Sequence, residues 1–355
     1  MRERIVNEVK ETPRVIIRNT KGSQALTKPL VEEFTAEHYY QDIWIIASGS
    51  AYNAALIAKD YMRQTLKVEV NIISPSNFVY YEDYLAPETF IFVLSQEGKL
   101  DVETKALDKI KELKRKAIGV VGEEGSEFEK HADVIVDYSQ GVEVEHYASE
   151  SVSILATFLM LFSLETAYAL HLVDEEEMFV DKNTLKEIMY EYDDIVIDTL
   201  DFIDDNMEDL KDLNVLYIMG LGANMGAVAE GAYKINERLL IPTLPFELEE
   251  YVNGPHLQLN KEYSAIILDN SDHSQDRTME IYQATKIVTN KTFLVTMDKK
   301  IKDKKVLNLY NPNNQLFNPI VTLPVLQLIG YYLGEELHPQ SDLKVKEFVD
   351  VIEHR

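Results

Sequence analysis

The chain has 355 residues, of which 46% are hydrophobic and 27% charged, so it can bury a substantial core and is expected to form two domains. Its 61 acidic residues outnumber the 35 basic ones, and the formal charge of −26 argues against nucleic acid and anionic membranes as partners. Because cysteine is absent, disulfides, thiolate metal sites and cysteine nucleophiles are excluded.

The first residues, MRERIVNEVKE, are charged and lack the apolar centre of a signal sequence. No later run is expected to approach the roughly eighteen apolar residues of a membrane span. The eight histidines form neither an H-x-x-x-H nor an H-x-H spacing, so no metal site and no cofactor are predicted. The sequence therefore predicts a soluble cytoplasmic protein.

Short β-rich apolar runs alternate with helical patterns through the first half. The five runs are DIWIIAS (42–48), VEVNIIS (68–74), TFIFVLS (89–95), AIGVVG (117–122) and VIVDY (134–138). Unbroken runs of this length suit strands that are covered on both faces, which indicates a parallel sheet between two helix layers. A long helix, ESVSILATFLMLFSLETAYALHLV, follows. A domain boundary is expected at the acidic stretch 174–177 or in the helix after it.

The second half repeats this pattern. When IWIIASGSAYNAALIAKDYM (43–62) is set over VLYIMGLGANMGAVAEGAYK (215–234), strand, small-residue turn and helix coincide. SAIILDN (264–270) then falls near TFIFVLS, TFLVTM (292–297) falls near AIGVVG, and LPVLQLIGYYLGEEL (323–337) matches the long helix. The sequence thus predicts two copies of one α/β unit.

The predicted fold class is α/β, with two tandem three-layer αβα sandwiches. The expected limits are an N-terminal helical segment at 1–30, a first domain at 31–180, a second at 195–338 and a C-terminal tail at 339–355.

The turn GLGANMG (220–226) resembles a dinucleotide fingerprint. Its last two glycines are spaced one residue too widely for G-x-G-x-x-G, because three residues rather than two separate Gly222 from Gly226. Close packing of helix against strand is therefore the preferred interpretation of this turn, and nicotinamide binding is set aside.

The turn SGSAYNA (48–54) and the stretch LSQEG (94–98) each follow a predicted strand. In a parallel α/β sheet, ligands gather beyond the carboxyl ends of the strands, so two neighbouring strand ends would face one crevice. Hydroxyl, amide and backbone N–H groups there suit a small anion or a polyol. The candidate ligand-binding residues are Ser48, Gly49, Ser50, Ser95, Gln96 and Gly98. The alternative is that serine and glycine serve only as turn and helix-capping residues.

Together with these turns, EGAYKINERLLIPTLPFELEEYVNGPHLQL (230–259) resembles the sugar isomerase (SIS) fold in tandem. The pattern is similar to the isomerase portion of glutamine–fructose-6-phosphate aminotransferase and to fructosamine-6-phosphate deglycases. NEVKETPRVIIRNTKG (7–22) and TLPVLQLIGYYLGEELHPQSDLKVKEFV (322–349) extend the likeness over nearly the whole chain. The resemblance implies SIS-like, flavodoxin-like parallel sheets.

The resemblance also implies a six-carbon sugar phosphate as ligand and a catalytic glutamate that moves a proton between C1 and C2. That glutamate falls on Glu237, and a neighbouring lysine of the site falls on Lys234. The histidine that opens the sugar ring in the family falls on Asn253, sixteen residues after Glu237. Asparagine cannot carry a proton between groups, so this position departs from the isomerase mechanism.

A second departure lies at the phosphate grip. The family reads Ser-Gln-Ser-Gly followed by an acidic residue and Thr, whereas this chain has Glu97 for the second Ser, Lys99 for the acid and Leu100 for Thr. Ala51 stands where a further Ser is common. A carboxylate pointing at a phosphate is repelled unless a cation intervenes, so either the phosphate is held differently or the ligand is not the usual one.

Further positions match the family with an ordinary structural interpretation beside each. Glu250 matches a second family glutamate and could equally be a solvated acidic residue. Glu145 and Ser149 match the family loop that faces the sugar and could equally cap a helix. His256 could supply the missing imidazole or be a loop histidine, and Lys344 or Lys346 of the tail could supply an acid.

The sequence thus predicts an aldose–ketose isomerase or a deglycase acting on a sugar phosphate or a ketosamine phosphate, with Glu237 as general base. The expected assembly is a homodimer with shared active sites. Because the chain has no cysteine and no room for a glutaminase domain, nitrogen transfer from glutamine is not expected. The alternative is a non-catalytic phosphosugar-binding or sensor protein that lost the histidine but kept the fold.

Overall fold

The computed structural model describes residues 11–36, 40–122, 125–138 and 149–337, without the side chains of 149 and 150. Two helices, α1 (Glu11–Lys21) and α2 (Ser23–Ala36), precede the first sheet. The first sheet is built by β1 (Asp42–Ile46), α3 (Gly49–Leu66), β2 (Glu69–Ile73), α4 (Pro75–Tyr81), β3 (Thr89–Leu94), α5 (Asp101–Glu112), β4 (Ile118–Val121), α6 (Phe128–His131) and β5 (Val134–Asp137).

The first sheet is parallel throughout and has the strand order β2-β1-β3-β4-β5. The five strands correspond to the five apolar runs of the sequence. All six residues of β3 and all four of β4 are buried, as expected for strands that are covered by helices on both faces. Because the order reverses at β1 and β3, the loops after these two strands diverge and leave a crevice at their carboxyl ends.

The long helix α7 (Ser149–Ala169) leads into α8 (Glu175–Tyr190), α9 (Tyr192–Asp205) and α10 (Met207–Leu210). The second sheet follows with β6 (Val215–Gly220), α11 (Asn224–Leu239), β7 (Thr243–Glu247), α12 (Leu248–Val252), β8 (Tyr263–Leu268), α13 (Gln275–Val288), β9 (Thr292–Thr296) and β10 (Val306–Asn308). Short 3₁₀ helices lie at Pro255–Gln258 and Gln315–Phe317, and α14 (Asn318–Leu337) closes the described part of the chain.

The second sheet is also parallel and has the order β10-β9-β8-β6-β7. Read from the other edge, the order is β7-β6-β8-β9-β10, so the second, first, third, fourth and fifth strands of this half are arranged as in the first sheet. The α/β class and its two parallel sheets with helices are therefore as predicted. The acidic stretch at 174–177 is not a connection but a helix start: Asp174 caps α8 in a reciprocal capping box with Glu177.

Helices α3 and α11 pack tightly against each other and join the two halves. A Cβ atom on Gly226 would lie 2.4 Å from the backbone nitrogen of Ile57, so only glycine permits this approach. One continuous set of buried apolar residues includes α3 and α7 of the first half together with α11 and α14 of the second. Gly220 packs against Val228 of α11 in the same way, which supports the packing interpretation of the 220–226 turn.

Two helices are long and apolar enough to cross a membrane, contrary to the expectation that no run would be. They contain Ser151–Ala169 and Gln315–Leu337, and 89% and 83% of their most apolar windows are buried inside the protein. Both helices are apolar all round because they lie between the sheets and other helices, as core helices of large α/β proteins do.

Candidate functional site

The loop after β1 carries the first group of predicted ligand-binding residues. Ser48 is extended (φ −134°, ψ 160°) and is the N-cap residue of α3, and Gly49 follows with φ +54°. A positive φ favours glycine, so the sharp turn from strand to helix depends on this residue. The Ser48 hydroxyl makes no capping bond with its own helix and instead donates to Glu103 Oε1 at 3.0 Å.

The loop after β3 carries the second group. Ser95 is buried, and its Oγ accepts the backbone N–H of Gly98 at 3.0 Å. Gly98 has φ +63°, and a Cβ atom there would lie 2.9 Å from the side chain of Ser126. The Gln96 side-chain oxygen accepts a hydrogen bond from Ser151 at 3.3 Å. Since β1 and β3 are neighbours, the two loops share one sheet edge, as the sequence predicted.

Glu103 of α5 lies beneath these two loops and was not among the predicted site residues. It is only 2% exposed, and its Oε2 atom accepts no hydrogen bond from the residues that the structure describes. Burial raises the pKa of this carboxyl, while the hydroxyls of Ser95 and Ser48 oppose the rise. A carboxyl group therefore occupies the position next to the hydroxyls that were expected to bind an anion.

Glu97 does not lie against these hydroxyls. Its side chain is 59% exposed, and a Glu97 oxygen lies 3.4 Å from Lys99 Nζ. The cation that the sequence required beside this carboxylate is thus present, although an exposed pair of this kind contributes little to stability.

The first turn also contacts the second half of the chain. Ser50 Oγ donates to Glu230 Oε1 at 3.0 Å, and Asn53 Nδ2 donates to Glu230 Oε2 at 2.7 Å. Glu230 is fully buried on α11, and burial raises its pKa. The hydrogen bond from Asn53, the charge of Lys234 and the hydrogen bond from Ser50 act in the opposite direction.

Glu230, Lys234 and Glu237 form a stripe on α11, since residues four and seven positions apart lie on the same helix face. Lys234 Nζ lies 3.1 Å from Glu237 Oε2, and the Lys234 side chain is 13% exposed while that of Glu237 is 53% exposed. Lys234 Nζ also lies 5.3 Å from the ring centroid of Tyr233. Lys234 therefore forms an ion pair with the accessible carboxylate of Glu237, and its charge also lowers the pKa of the buried Glu230 carboxyl.

Helices α3 and α11 run antiparallel at their contact, because Gly226 meets Ile57 whereas Glu230 meets Ser50 and Asn53. From Glu230, two further turns carry α11 about 10 Å onward to Glu237. This direction leads past the N-terminus of α3, toward the side on which the loops after β1 and β3 end. The bond between Ser50 and Glu230 thus brings the helix that carries the predicted general base against the turn that carries predicted ligand-binding residues.

Glu250, Asn253 and His256 are exposed and lie in the segment after β7, in α12, at its C-terminal end and in the following 3₁₀ helix respectively. Asn253 ends α12 and its N–H donates to the Glu249 carbonyl at 2.9 Å, while the Glu250 N–H donates to the Glu247 carboxylate at 2.9 Å. The ring of His256 lies 6.2 Å from that of Tyr251. Among the described residues, no hydrogen bond joins these side chains to Glu237 or to the serine loops.

Four other predicted positions have no described side chain. Glu145, Lys344 and Lys346 lie outside the described residues, and Ser149 begins α7 with a side chain that is not described. In the described ranges, no group of three or more histidine and carboxylate side chains could hold a metal ion.

The sequence of residues 41–168 matches the profile of the SIS domain. Over 334 residues the chain is 23% identical to glutamine–fructose-6-phosphate aminotransferase (isomerizing) of Thermococcus kodakarensis, covering 93% of this chain and 54% of the relative. An enzyme of the same name from Clostridium tetani is 24% identical and is covered to 56%. The chain thus spans about half the length of the curated relatives it matches.

Solved structures share the fold over most of the chain. The C-terminal domain of glucosamine-fructose-6-phosphate aminotransferase from Francisella tularensis has a TM-score of 0.80 at 19% identity, covering 92% of this chain and 94% of that one. The tagatose-6-phosphate ketose/aldose isomerase from Escherichia coli has a TM-score of 0.72 at 12% identity, covering 94% and 92%.

The strand order, the serine turns at the switch point and these matches lead to one assignment: residues 41–168 are a SIS domain, and the chain is homologous to the isomerase portion of glutamine–fructose-6-phosphate aminotransferase.

Proposed function

We propose that the protein is an aldose–ketose isomerase or a ketosamine-6-phosphate deglycase, in which Glu237 is the general base. The observation that carries the proposal is the Glu237–Lys234 pair at 3.1 Å, with an accessible carboxylate and a largely buried ammonium group. An accessible carboxylate can reach a bound sugar and take a proton from it. The fold shared with a ketose/aldose isomerase supports this reaction class.

In the isomerase reaction, Glu237 takes a proton from one of C1 and C2 and returns it to the other, through an enediol. Lys234 keeps the carboxylate directed and balances its charge. In the deglycase reaction, moving the proton from C1 to C2 turns the ketosamine into an imine at C1, and water then adds to C1 and displaces the amine. Both reactions need the open-chain carbonyl or imine form, because only that form makes the neighbouring C–H acidic.

The sugar phosphate would extend from the serine loops to Glu237. The phosphate end would lie against Ser48, Ser50, Ser95 and the backbone N–H groups at the start of α3, where the helix dipole favours an anion. The distance of about two helix turns between Glu230, which contacts Ser50, and Glu237 suits an extended six-carbon ligand.

Asn253 cannot carry a proton, so another group must supply the acid that opens the sugar ring. We assign Asn253 a hydrogen bond to the sugar, and we assign the acid to His256 or to Lys344 or Lys346 of the tail. We also assign Glu250, Glu145 and Ser149 to the lining of the sugar site.

Two subunits would share each site. Asn253 is exposed at the end of α12, and no hydrogen bond joins its side chain to the Glu237 region in the described part of the chain, which supports its donation to the partner subunit. We propose domain limits of 31–180 and 195–338, flanked by the segment 1–30 and the tail 339–355. The cytoplasm is the proposed location, since sugar phosphates are made and used there.

The test is turnover across a panel of aldose phosphates, ketose phosphates and ketosamine 6-phosphates, each followed by NMR. Isomerase activity gives conversion between aldose and ketose without loss of amine, whereas deglycase activity gives a free amine. A non-catalytic sensor binds one of these ligands with no conversion, and that result would replace the enzyme by the alternative.

A further inference from the structure

Glu103 competes with any ligand for the hydroxyl group of Ser48. Ser48 is the N-cap residue of α3, a position where serine usually accepts a bond from its own helix, yet its hydroxyl donates to Glu103 Oε1 at 3.0 Å. While this bond persists, Ser48 presents only lone pairs to the crevice. A phosphate has acceptor oxygens and requires donors, so this arrangement opposes it.

The other oxygen of the same carboxyl is an unusual feature of the fold. The Glu103 side chain is only 2% exposed, and its Oε2 atom accepts no hydrogen bond from the described residues. A charged oxygen in such a place is costly, whereas the carbonyl oxygen of a neutral acid costs much less. The protonated acid resolves the conflict: its O–H can lie at Oε1 and donate to Ser48, and Oε2 is then an uncharged carbonyl oxygen.

Among the described residues, no cation is found to act on the Glu103 carboxyl, and the charged groups on the neighbouring elements have other partners. Glu97, in the loop after β3, is the like charge that acts on Glu103, and its own partner is Lys99. On the side of α5 that faces α4, Lys109 forms an ion pair with Asp83 at 3.5 Å. On the side of α6, His131 pairs with Asp108 of α5 at 2.8 Å.

We propose that Glu103 is a positioning residue that decides whether the strand-end crevice accepts a phosphate. Ionised Glu103 draws the Ser48 proton inward, and the crevice then suits a hydroxyl or another donor. Protonated Glu103 donates to Ser48 Oγ, which frees the Ser48 proton to be donated to a phosphate oxygen. A phosphate therefore binds with uptake of one proton by the protein.

This inference rests on the proposed function in one respect, namely that the crevice holds the phosphate end of a sugar phosphate. It adds that the site prefers a phosphate ligand when Glu103 is protonated and a phosphate-free polyol end when Glu103 is ionised. Glu103 interacts with the hydroxyls of Ser48 and Ser95 and does not touch the reacting carbons, so its effect reaches the ligand through these hydroxyls.

The experiment uses sulfate as the probe, because sulfate does not titrate between pH 5 and 8 and any pH dependence then belongs to the protein. Sulfate affinity is measured by calorimetry at constant ionic strength across this range, in two buffers of different ionisation enthalpy. The expected result for the native chain is affinity that falls by about tenfold per pH unit above the pKa of Glu103, with one proton taken up on binding.

The variant Glu103→Gln keeps the shape and can donate permanently to Ser48, so we expect tight sulfate binding at every pH and no proton uptake. The matched control, Glu97→Gln, removes one negative charge from the same loop and should tighten binding while keeping the pH dependence. Ser48→Ala removes the hydroxyl that is hydrogen-bonded to Glu103 Oε1, so the sulfate affinity of this variant should depend on pH less steeply than that of the native chain, even if Glu103→Gln folds poorly.

A native chain whose sulfate affinity does not change with pH, or a Glu103→Gln variant that keeps the native slope, would overturn the proposal, as would the absence of sulfate binding at pH 5. Glu237 takes no part in sulfate binding. Loss of the proposed isomerase role with an intact sulfate profile would therefore refute the function and leave this inference standing.

Discussion

Ser50 of the first half donates a hydrogen bond to the buried carboxylate of Glu230 in the second half, at 3.0 Å. Asn53 of the same turn donates to the other oxygen of that carboxylate at 2.7 Å. Both oxygens of Glu230 are thus bonded by residues about 180 positions away in the chain. The loop that is expected to bind the ligand is fixed to the helix that carries the expected base.

The first prediction concerns Glu230 and pH. Burial raises the pKa of this carboxyl, so the folded chain holds the proton to a higher pH than the unfolded chain does. Its contribution to stability is therefore largest below the unfolded-state pKa, near 4.5, and decreases as pH rises through the folded-state pKa. We expect Glu230→Gln to show a smaller loss of unfolding free energy between pH 5 and 7 than the native chain.

The measurement is urea unfolding at several pH values, with Glu237→Gln as the matched control because it changes an exposed carboxylate on the same helix. An equal pH dependence in the native chain and in Glu230→Gln would show that Glu230 titrates as an ordinary surface group.

The second prediction concerns the base. Glu237→Gln keeps the size and hydrogen bonding of the side chain but removes the proton acceptor, so turnover should fall by roughly 10²–10⁴-fold with little change in substrate binding. Steady-state kinetics and direct binding of the same sugar phosphate separate the two effects. Glu280→Gln, an exposed carboxylate paired with Arg277 on α13, serves as control and should keep full turnover. Activity that survives Glu237→Gln would exclude the assigned mechanism.

The third prediction concerns the missing imidazole. If His256 supplies the acid, His256→Ala should remove one limb of the pH–rate profile, and His273→Ala, which changes another exposed histidine, should not. The same comparison with Lys344→Ala and Lys346→Ala assigns the role within the tail. An unchanged profile in all three variants would leave water as the acid.

The fourth prediction concerns the close helix contact between the halves. Gly226→Ala places a Cβ atom 2.4 Å from the backbone nitrogen of Ile57, so α3 and α11 must separate. We expect a loss of about 1–3 kcal/mol of unfolding free energy, as for other overpacked sites. Gly22→Ala is the control, because a Cβ atom there would lie 3.6 Å from its nearest neighbour, an ordinary contact. Equal stability of the two variants would contradict the described contact.

The fifth prediction concerns assembly. The shared-site proposal requires a dimer of twice 40.8 kDa in light scattering at assay concentration. Mixing Glu237→Gln subunits with Asn253→Ala subunits should then restore part of the activity, since one site of each mixed dimer is intact. A monomeric particle with full turnover, or no recovery on mixing, would remove the partner subunit from the site.

In the second half of the chain, the sequence predicts the central strands better than the strands at the sheet edges. β1, β3 and β6 are continuous apolar runs and lie where they were predicted. β7 (Thr243–Glu247) was missed, because Pro245 and exposed positions interrupt its apolar pattern, and proline is tolerated only on an edge strand. β10 was missed because three residues at the other edge carry too short a pattern.

The serine turns of the site were found because they follow strongly apolar strands, and strand ends are where α/β proteins bind ligands. The two buried carboxyl groups were missed for a physical reason. Glu103 and Glu230 lie in a chain with 61 acidic residues, and nothing in local pattern tells a buried glutamate from a solvated one. For Glu230, the i, i+4, i+7 spacing with Lys234 and Glu237 was the signal available, since it places all three on one helix face.

The shared core between the halves has a consequence for how this chain unfolds. Because α3, α7, α11 and α14 lie in one continuous apolar cluster, neither sheet can lose its inner helix layer without exposing that of the other. The two halves are then expected to unfold together in one cooperative transition, so a destabilising substitution in one sheet lowers the melting temperature of the whole chain. Stability at the sheet edge that binds the ligand is thereby set in part by packing on the opposite half of the molecule.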